Sequence, residues 1–372
     1  MRILVAVDSF KGSLTADEAV HWLGQGLMKG ARVEVDPCPL ADGGEGTSAL
    51  VERYLGGRRV MAPTVDSFGR PRPGWWVRWG RTAVIESAVG SGYLPPADRP
   101  ASVWHTTSRG TGMLVHHAQQ APDIDRVIVT LGGTGAVDGG MGFLEALGVE
   151  FYDRDGHRLS GTAGHLERVH RIRWPDALPS LVGLYDTFVP LLGPTGAVRL
   201  YGPQKGVTPQ DVEPLERHLA HFAHVLQDSL NQSDLMDRPG AGAAGGMGLA
   251  IYALGGRLEA GAPAVAQWMD LASRLERADW VITGEGRLDA QSLLGKVVGT
   301  VLNQARARRR PVLAVAGALP ADLSPFYQAG LTAAWPLVSG PMTVEEAMRD
   351  APRLLQQLGE NFARVLMYGD YA

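Results

Sequence analysis

Three short apolar runs, residues 3–7 (ILVAV), 280–283 (WVIT) and 311–316 (PVLAVA), carry no polar alternation, and each gives way to a polar or glycine-bearing segment. A strand that is apolar on both faces needs cover on both faces, which is the condition of a parallel sheet flanked by helices. Because the runs sit at opposite ends of the chain, one sheet has to gather strands from both. After the first run, Thr15 as N-cap with Glu18 three residues on forms a capping box, Val20, Leu23 and Leu27 follow along one helical face, and Gly30 stops the helix. A second strand over 32–35, a loop ADGGEGT and a second helix over 48–55, closed by Gly56 and Gly57, complete a β-α-β-α opening.

From about Asp66 the pattern changes. WWVRW (75–79) and TAVIES (82–87) are β-rich runs divided by Gly80 and Arg81, a hairpin signal. A strand over 127–131, a helix near 141–147, a strand around 182–185 and a long helix opened by Thr208 with Pro209 at its first position come next. From Asp279 the opening style returns, with a helix over 293–306 between the two later apolar runs. The economical arrangement is one parallel α/β domain made from both chain ends, with residues 66–262 inserted as the other and the site loops facing a cleft between them.

Charge and hydropathy exclude several classes. Lys and Arg number 35 against 39 acidic residues, a formal charge of -4, so no polyanion and no nucleic acid is expected as a partner. The longest uncharged stretch, 323–344, holds Pro325, Pro336, Pro341, Gly330 and Gly340, which interrupt any spanning helix, so no membrane is expected. The N-terminus reaches Asp8 before a signal-length apolar region accumulates and Cys38 has no partner, so the cytoplasm is the expected compartment.

The 48 glycines concentrate in ADGGEGT, LGGTGAVDGGMG, PGAGAAGGMG and ITGEGRLD, which brings backbone close to something. Only four of the basic residues are lysines. Lys29 reads as the cation ending a helix, whereas Lys11, Lys205 and Lys296 stand beside glycines, where an ammonium is a compact charge for a phosphate. LGGTGAVDGG has Asp138 where a dinucleotide fingerprint wants its third Gly, and ITGEGRLD repeats the form with Gly284, Gly286 and Asp289. An acid beside a glycine cradle at a strand end suggests magnesium phosphate. PGAGAAGGMG contains G-x-G-x-x-G at Gly240, Gly242 and Gly245, but no strand precedes it, so the dinucleotide context fails; a phosphate cradle and close packing through small residues both stay open. In HTTSRGTG, the hydroxyls of Thr106, Thr107 and Ser108, the amides of a helix start and the Arg109 fork either converge on an anion or cap the helix. There is no Walker A loop, no protein-kinase signature and no H-E-x-x-H.

Taken together, DSFKGSLTADEA, LADGGEGT, TTSRGTG, VDGG, GPQKG, GAGAAGGMG and VITGEGRLDAQSLLGKV resemble, in this order and over nearly the full length, the bacterial glycerate kinase family that lacks a Walker loop. The resemblance implies ATP-dependent phosphorylation of D-glycerate to 2- or 3-phosphoglycerate with ATP and Mg2+ as cofactors. It implies a two-domain α/β fold: a parallel Rossmann-like domain formed by both chain ends (1–65 plus 263–372) with an inserted second α/β domain (66–262). D-glycerate and ATP are the implied small-molecule partners, and a homodimer is compatible with it. Carried onto this sequence, it implies Lys11, Asp186, Asp289 and Lys296 as catalytic, with Asp186 and Asp289 also for metal. Asp42, Ser108, Arg109 and Arg287 are implied for substrate. Asp8, Ser9, Gly133, Thr134, Asp138, Lys205, Gly245, Gly246, Gly284 and Glu285 are implied for nucleotide. Lys11 and Lys296 would neutralise phosphate charge, Asp186 would orient or deprotonate the hydroxyl, and Arg109 and Arg287 would hold the glycerate carboxylate.

Two stretches depart from the family pattern. Thr134 and Val137 replace Ser and Asn in GGSATNDGG, and residues 185–191 read YDTFVPL in place of CDVTNPL. Valine cannot hold a hydroxyl or a metal-bound water as an amide can. The rival readings are a phosphotransferase for another small hydroxy acid, a non-catalytic nucleotide-binding regulator, and a nicotinamide-dependent dehydrogenase.

Overall fold

The computed structural model describes residues 1–177 and 180–368. The fold is α/β and divides into two compact units, residues 1–42 with 260–372, and residues 43–259.

The terminal unit is built on a five-stranded sheet whose order across is Leu331–Pro336, Val312–Ala318, Trp280–Arg287, Arg2–Val7 and Glu34–Pro37. All of its pairings are parallel. The chain moves from Arg2–Val7 to one neighbour and later resumes on the other side, so strand order reverses between Arg2–Val7 and Trp280–Arg287; open α/β sheets bind ligands outside the carboxyl ends of strands at such a point. The core joins both chain ends, with Ile3, Val5, Leu23, Leu27, Ile282 and Val315 packed on Leu355 and Phe362. The capping box forms as expected, with Thr15 Oγ1 accepting from Glu18 N at 3.2 Å and Glu18 accepting from Thr15 N at 2.9 Å. The helix it opens, Ala16–Gly30, packs against the 25-residue helix Val344–Tyr368, for which the sequence reading made no provision. The approach is close enough that a Cβ on Gly30 would lie 2.5 Å from the Glu360 carbonyl oxygen.

The inserted unit holds a six-stranded sheet ordered Arg257–Ala260, Leu181–Tyr185, Arg126–Thr130, Thr82–Glu86, Pro71–Trp79 and Arg58–Val65, with a small antiparallel sheet of Arg158–Leu159, Glu150–Tyr152 and Arg171–Arg173. Its middle strands are parallel, and the turn at Gly80 makes the expected antiparallel hairpin.

Several boundaries differ from expectation. Residues 43–65 fall with the inserted unit, because Arg58–Val65 pairs along its whole length with Pro71–Trp79. The long helix starts at Val212, not after Thr208: Thr208 N and Oγ1 donate to Asp211 Oδ2, which holds Pro209 in the turn before it. The strand expected to end at Thr283 continues to Arg287, so Gly284 and Gly286 are strand residues. The helix expected from residue 293 begins at Val297 after a 3-10 turn. No helix among the described residues is long and apolar enough to cross a membrane.

Candidate active site

The terminal unit places acids at the carboxyl ends of its central strands. Asp8 directly follows Arg2–Val7, and its backbone N–H donates to the Gly284 carbonyl at 2.9 Å on the neighbouring strand. Its carboxylate accepts from Ser9 N at 2.6 Å, which accounts for Ser9. Burial, then the nearby charge of Asp42 and, more weakly, Glu285, raises the Asp8 carboxyl well above the usual range. Glu285 is pushed up to about 6, mainly by burial, against the pull of Ser292 and Lys296. Its Oε1 is buried without a hydrogen-bond partner among the described residues. The charge of Asp42 thus acts on both Asp8 and Glu285, and hard oxygen donors of this kind suit Mg2+.

Around this cluster, Lys11 is exposed in a tight turn closed by Leu14 N donating to Phe10 O at 2.9 Å. Arg287 is exposed at the strand end and Lys296 stands at the N-cap of Val297–Ala307. Asp289 was expected as catalyst and metal ligand, yet its Oδ1 accepts from Gln291 N at 2.9 Å while its own N–H donates to Ser292 Oγ at 3.0 Å. That capping box fixes the turn before the Lys296 helix. Gly284 is demanded by sheet packing, since a Cβ there would strike the Val315 carbonyl, while one on Gly286 would lie 3.3 Å from Lys11 N. Here the glycine tract brings the Lys11 turn against the strand.

In the inserted unit, Asp138 and Lys205 sit at the centre. Asp138 is fully buried, and its carboxylate accepts from Ser108 N (2.7 Å), Ser108 Oγ (2.8 Å), Gly140 N (3.2 Å) and Gly142 N (3.0 Å). Burial raises its pKa in spite of those donors. Lys205 ends the helix Ala197–Lys205 and is buried; its ammonium donates to Thr134 Oγ1 and the Ala136 carbonyl, both at 3.1 Å. Burial lowers its pKa to about 8, opposed by Asp138 and Asp186. Asp186, beyond the end of Leu181–Tyr185, is therefore a charge partner of Lys205. Asp186 and Asp289, each expected for metal, belong to different units.

The glycine loops of this unit hold each other. Gly139 N donates to the Gly245 carbonyl at 3.0 Å, and a Cβ on Gly246 would lie 2.5 Å from Gly139 Cα. Ala244, Gly245 and Gly246 are all left-handed, so the helix Ala243–Ala253 is kinked at its start. Gly133, at φ +75°, accepts from Tyr93 N at 2.9 Å and turns the chain into Thr134. Of the two readings of PGAGAAGGMG, these contacts carry close packing.

The hydroxyls of HTTSRGTG are committed to the protein in the same way. Thr106 Oγ1 donates to Val103 O and Thr107 Oγ1 to Gly161 O, both at 2.6 Å, while Ser108 Oγ accepts from Phe143 N at 2.9 Å and donates to Asp138. These hydroxyls lock loops, and Ser108 keeps neither its hydroxyl nor its amide for a ligand. Arg109, half exposed, keeps its guanidinium 3.7 Å from Glu145. Val137 and Val189 are buried apolar residues, as their replacement of amides requires. Sequence reasoning missed Glu86, buried at the end of its strand, which accepts from Ser48 N at 2.7 Å; the lone acid after the apolar run TAVI was the available signal.

A parallel sheet bearing acids at its switch point, beside an inserted unit with a buried lysine among glycine loops and no Walker A, defines a phosphotransferase-type α/β protein outside the P-loop class. The Glycerate kinase family model matches residues 3–367. The chain is 36% identical to glycerate 2-kinase of Escherichia coli (strain K12), covering 99% of each, and 35% identical to glycerate kinase of Bacillus subtilis (strain 168), covering 98% of this chain and 97% of the relative. A crystal structure of a candidate glycerate kinase 2 from Salmonella typhimurium LT2 superposes with a TM-score of 0.82 at 35% identity, covering 100% of this chain and 99% of that one. The chain belongs to the glycerate kinase family.

Proposed function

We propose that the protein transfers the γ-phosphoryl group of ATP to D-glycerate, with the two compact units serving as its two domains. The observation that carries this reading is the buried Lys205 ammonium beside Asp186 and the Thr134 loop, in a chain of the glycerate kinase family. Phosphoryl transfer asks little covalent chemistry of a protein; positioning and charge neutralisation supply most of the rate.

In the inserted unit, Asp186 orients the acceptor hydroxyl and takes its proton, while Lys205, through Thr134, holds the loop of Gly133. Asp138 fixes the start of the helix that presents Arg109, whose planar fork suits the glycerate carboxylate. In the terminal unit, Lys11, Arg287 and Lys296 place positive charge at the strand ends for the anionic groups of the substrates. Asp8 and Glu285, with the charge of Asp42 nearby, would offer carboxylate oxygens to Mg2+, a fit that rests on the orphaned Glu285 Oε1. When bound, the ion neutralises phosphate charge. The E. coli relative's name, glycerate 2-kinase, leads us to expect 2-phosphoglycerate as product.

The test is ADP release coupled to a chromogenic assay with D-glycerate, followed by phosphorus NMR of the product. ADP formation that depends on D-glycerate is the expected result; its absence overturns the reading, and a 3-phosphate corrects the regiochemistry.

A further inference from the structure

We propose that the base of the nucleotide binds in a cavity of about 280 Å³ within the inserted unit, stacked on Phe188 and with its exocyclic amino group on Asp237. The inference rests on the kinase reading and assigns that reaction's nucleoside end. The cavity lies beyond the carboxyl end of Leu181–Tyr185, where a parallel sheet presents its ligands. One wall is Phe188, Pro190 and Leu191; the other is the segment Met236 to Gly240 that leads into the glycine loop.

Phe188 is the unusual member. More than half of its surface is exposed although it stands only two residues from Asp186, and its ring lies 4.6 Å from that of Tyr185 at 48°. A bare aromatic face over an apolar cavity is suited to a flat heterocycle, because bases stack on aromatic rings whatever their sequence of donors. Glycerate is a poor occupant: a small, fully polar anion would lose its hydration there and recover few hydrogen bonds. The space falls just below the usual range of about 300–1,000 Å³ for drug-sized ligands, so it suits one bicyclic ring and not a whole nucleotide.

The polar rim gives the base its orientation. Arg238 is held by Asp234 at 2.9 Å and lies over the Tyr252 ring, and the Pro239 carbonyl is taken by the Tyr252 hydroxyl at 2.8 Å. Between them Asp237 is exposed, and no side-chain partner for it is found among the described residues, so its carboxylate is an acceptor for an amino group.

The two walls are tied to each other and to the glycine loop. Gly242 N donates to the Val189 carbonyl at 2.9 Å, pinning the two walls together. The chain then continues to Gly245, whose carbonyl takes Gly139 N, beside Ala136 and Lys205.

The experiment uses the full chain and three variants, Phe188→Ala, Phe188→Trp and Asp237→Asn, with calorimetric titration of ADP in the absence of glycerate and separate KM values for ATP and D-glycerate. Phe188→Ala is expected to weaken ADP binding by about fivefold to a hundredfold, the worth of one stacked base, with glycerate KM within about twofold and an unchanged melting temperature. Phe188→Trp is expected to restore the affinity, and Asp237→Asn to reduce the preference for ATP over GTP. Unaltered ADP affinity in Phe188→Ala overturns this assignment alone, as does a rise in glycerate KM without one in ATP KM. A parental chain that releases no ADP with D-glycerate overturns the kinase reading first, and this assignment with it.

Discussion

Ser108 and Asp138 are joined by two hydrogen bonds, from the serine amide at 2.7 Å and its hydroxyl at 2.8 Å, both to the same carboxylate oxygen. The serine hydroxyl then accepts from Phe143 N, so one buried acid ties two helix starts together. Ser108→Ala leaves the Phe143 amide and the Asp138 carboxylate each short of a partner. It should cost about 1.5–3 kcal/mol of stability in urea denaturation. A loss below roughly 0.5 kcal/mol, the level of an ordinary surface substitution, would mean the pair is not structural.

Glu285 gives a pH dependence with a definite sign. Its pKa is raised from 4.5 to about 6, so the folded state favours the protonated form. That contribution is complete below about pH 4.5 and is lost as pH rises through about 6, a difference of roughly 2 kcal/mol. Glu285→Gln, always neutral, should gain stability relative to the parent over that interval. Mg2+ at pH 7.5 should raise the melting temperature of the parent more than that of the variant, and excess EDTA should abolish activity. Equal Mg2+ shifts in both proteins would remove Glu285 from the metal site.

Lys205 sets the opposite limb. With its pKa lowered to about 8, the ammonium is lost from the folded protein well before it would be lost from the unfolded chain. The kcat/KM for ATP, which reports the free enzyme, should therefore fall above about pH 8. The fold itself should gain stability as pH rises from about 8 toward 10.5. Lys205→Met should lose both dependences and be slower at neutral pH. A variant that keeps the same alkaline limb assigns it to another group.

Lys11 is exposed and its turn is shaped by Gly12 at φ +79°, so Lys11→Arg leaves the fold alone. If the ammonium meets phosphate oxygens, kcat should drop about tenfold to a thousandfold with no change in melting temperature. Parental turnover would make Lys11 surface charge and move the phosphate contact to Lys296.

What the sequence discloses is what local chemistry decides. Thr15 with Glu18 forms its capping box because both partners lie within one turn, and residues 3–7 form a covered parallel strand because no other element tolerates such a run. Motif order was likewise legible, and with it the family. Gly284 reads as a loop residue because the need for glycine there comes from the Val315 carbonyl, a partner no local window contains. The hydroxyls of residues 106–108 leave an anion and a cap both open in the sequence, since two of their acceptors, Gly161 and Asp138, lie far along the chain. Phe188 was hidden differently: exposure of an aromatic residue is a property of packing, and the sequence around it reads as ordinary core.

The central pairing of the terminal sheet, Arg2–Val7 with Trp280–Arg287, also governs the order in which the protein is made. The first strand leaves the ribosome with one parallel neighbour, Glu34–Pro37, and must wait for roughly 270 further residues before the other arrives. At about 5–20 residues per second that is a delay of about 15 s to a minute, and by its end the inserted sheet has every strand it needs, the last being Arg257–Ala260. The half of the molecule that begins the chain is therefore the last to fold. Its apolar first strand spends the interval as a sheet edge without its partner, the interval in which nascent chains are most exposed to mispairing.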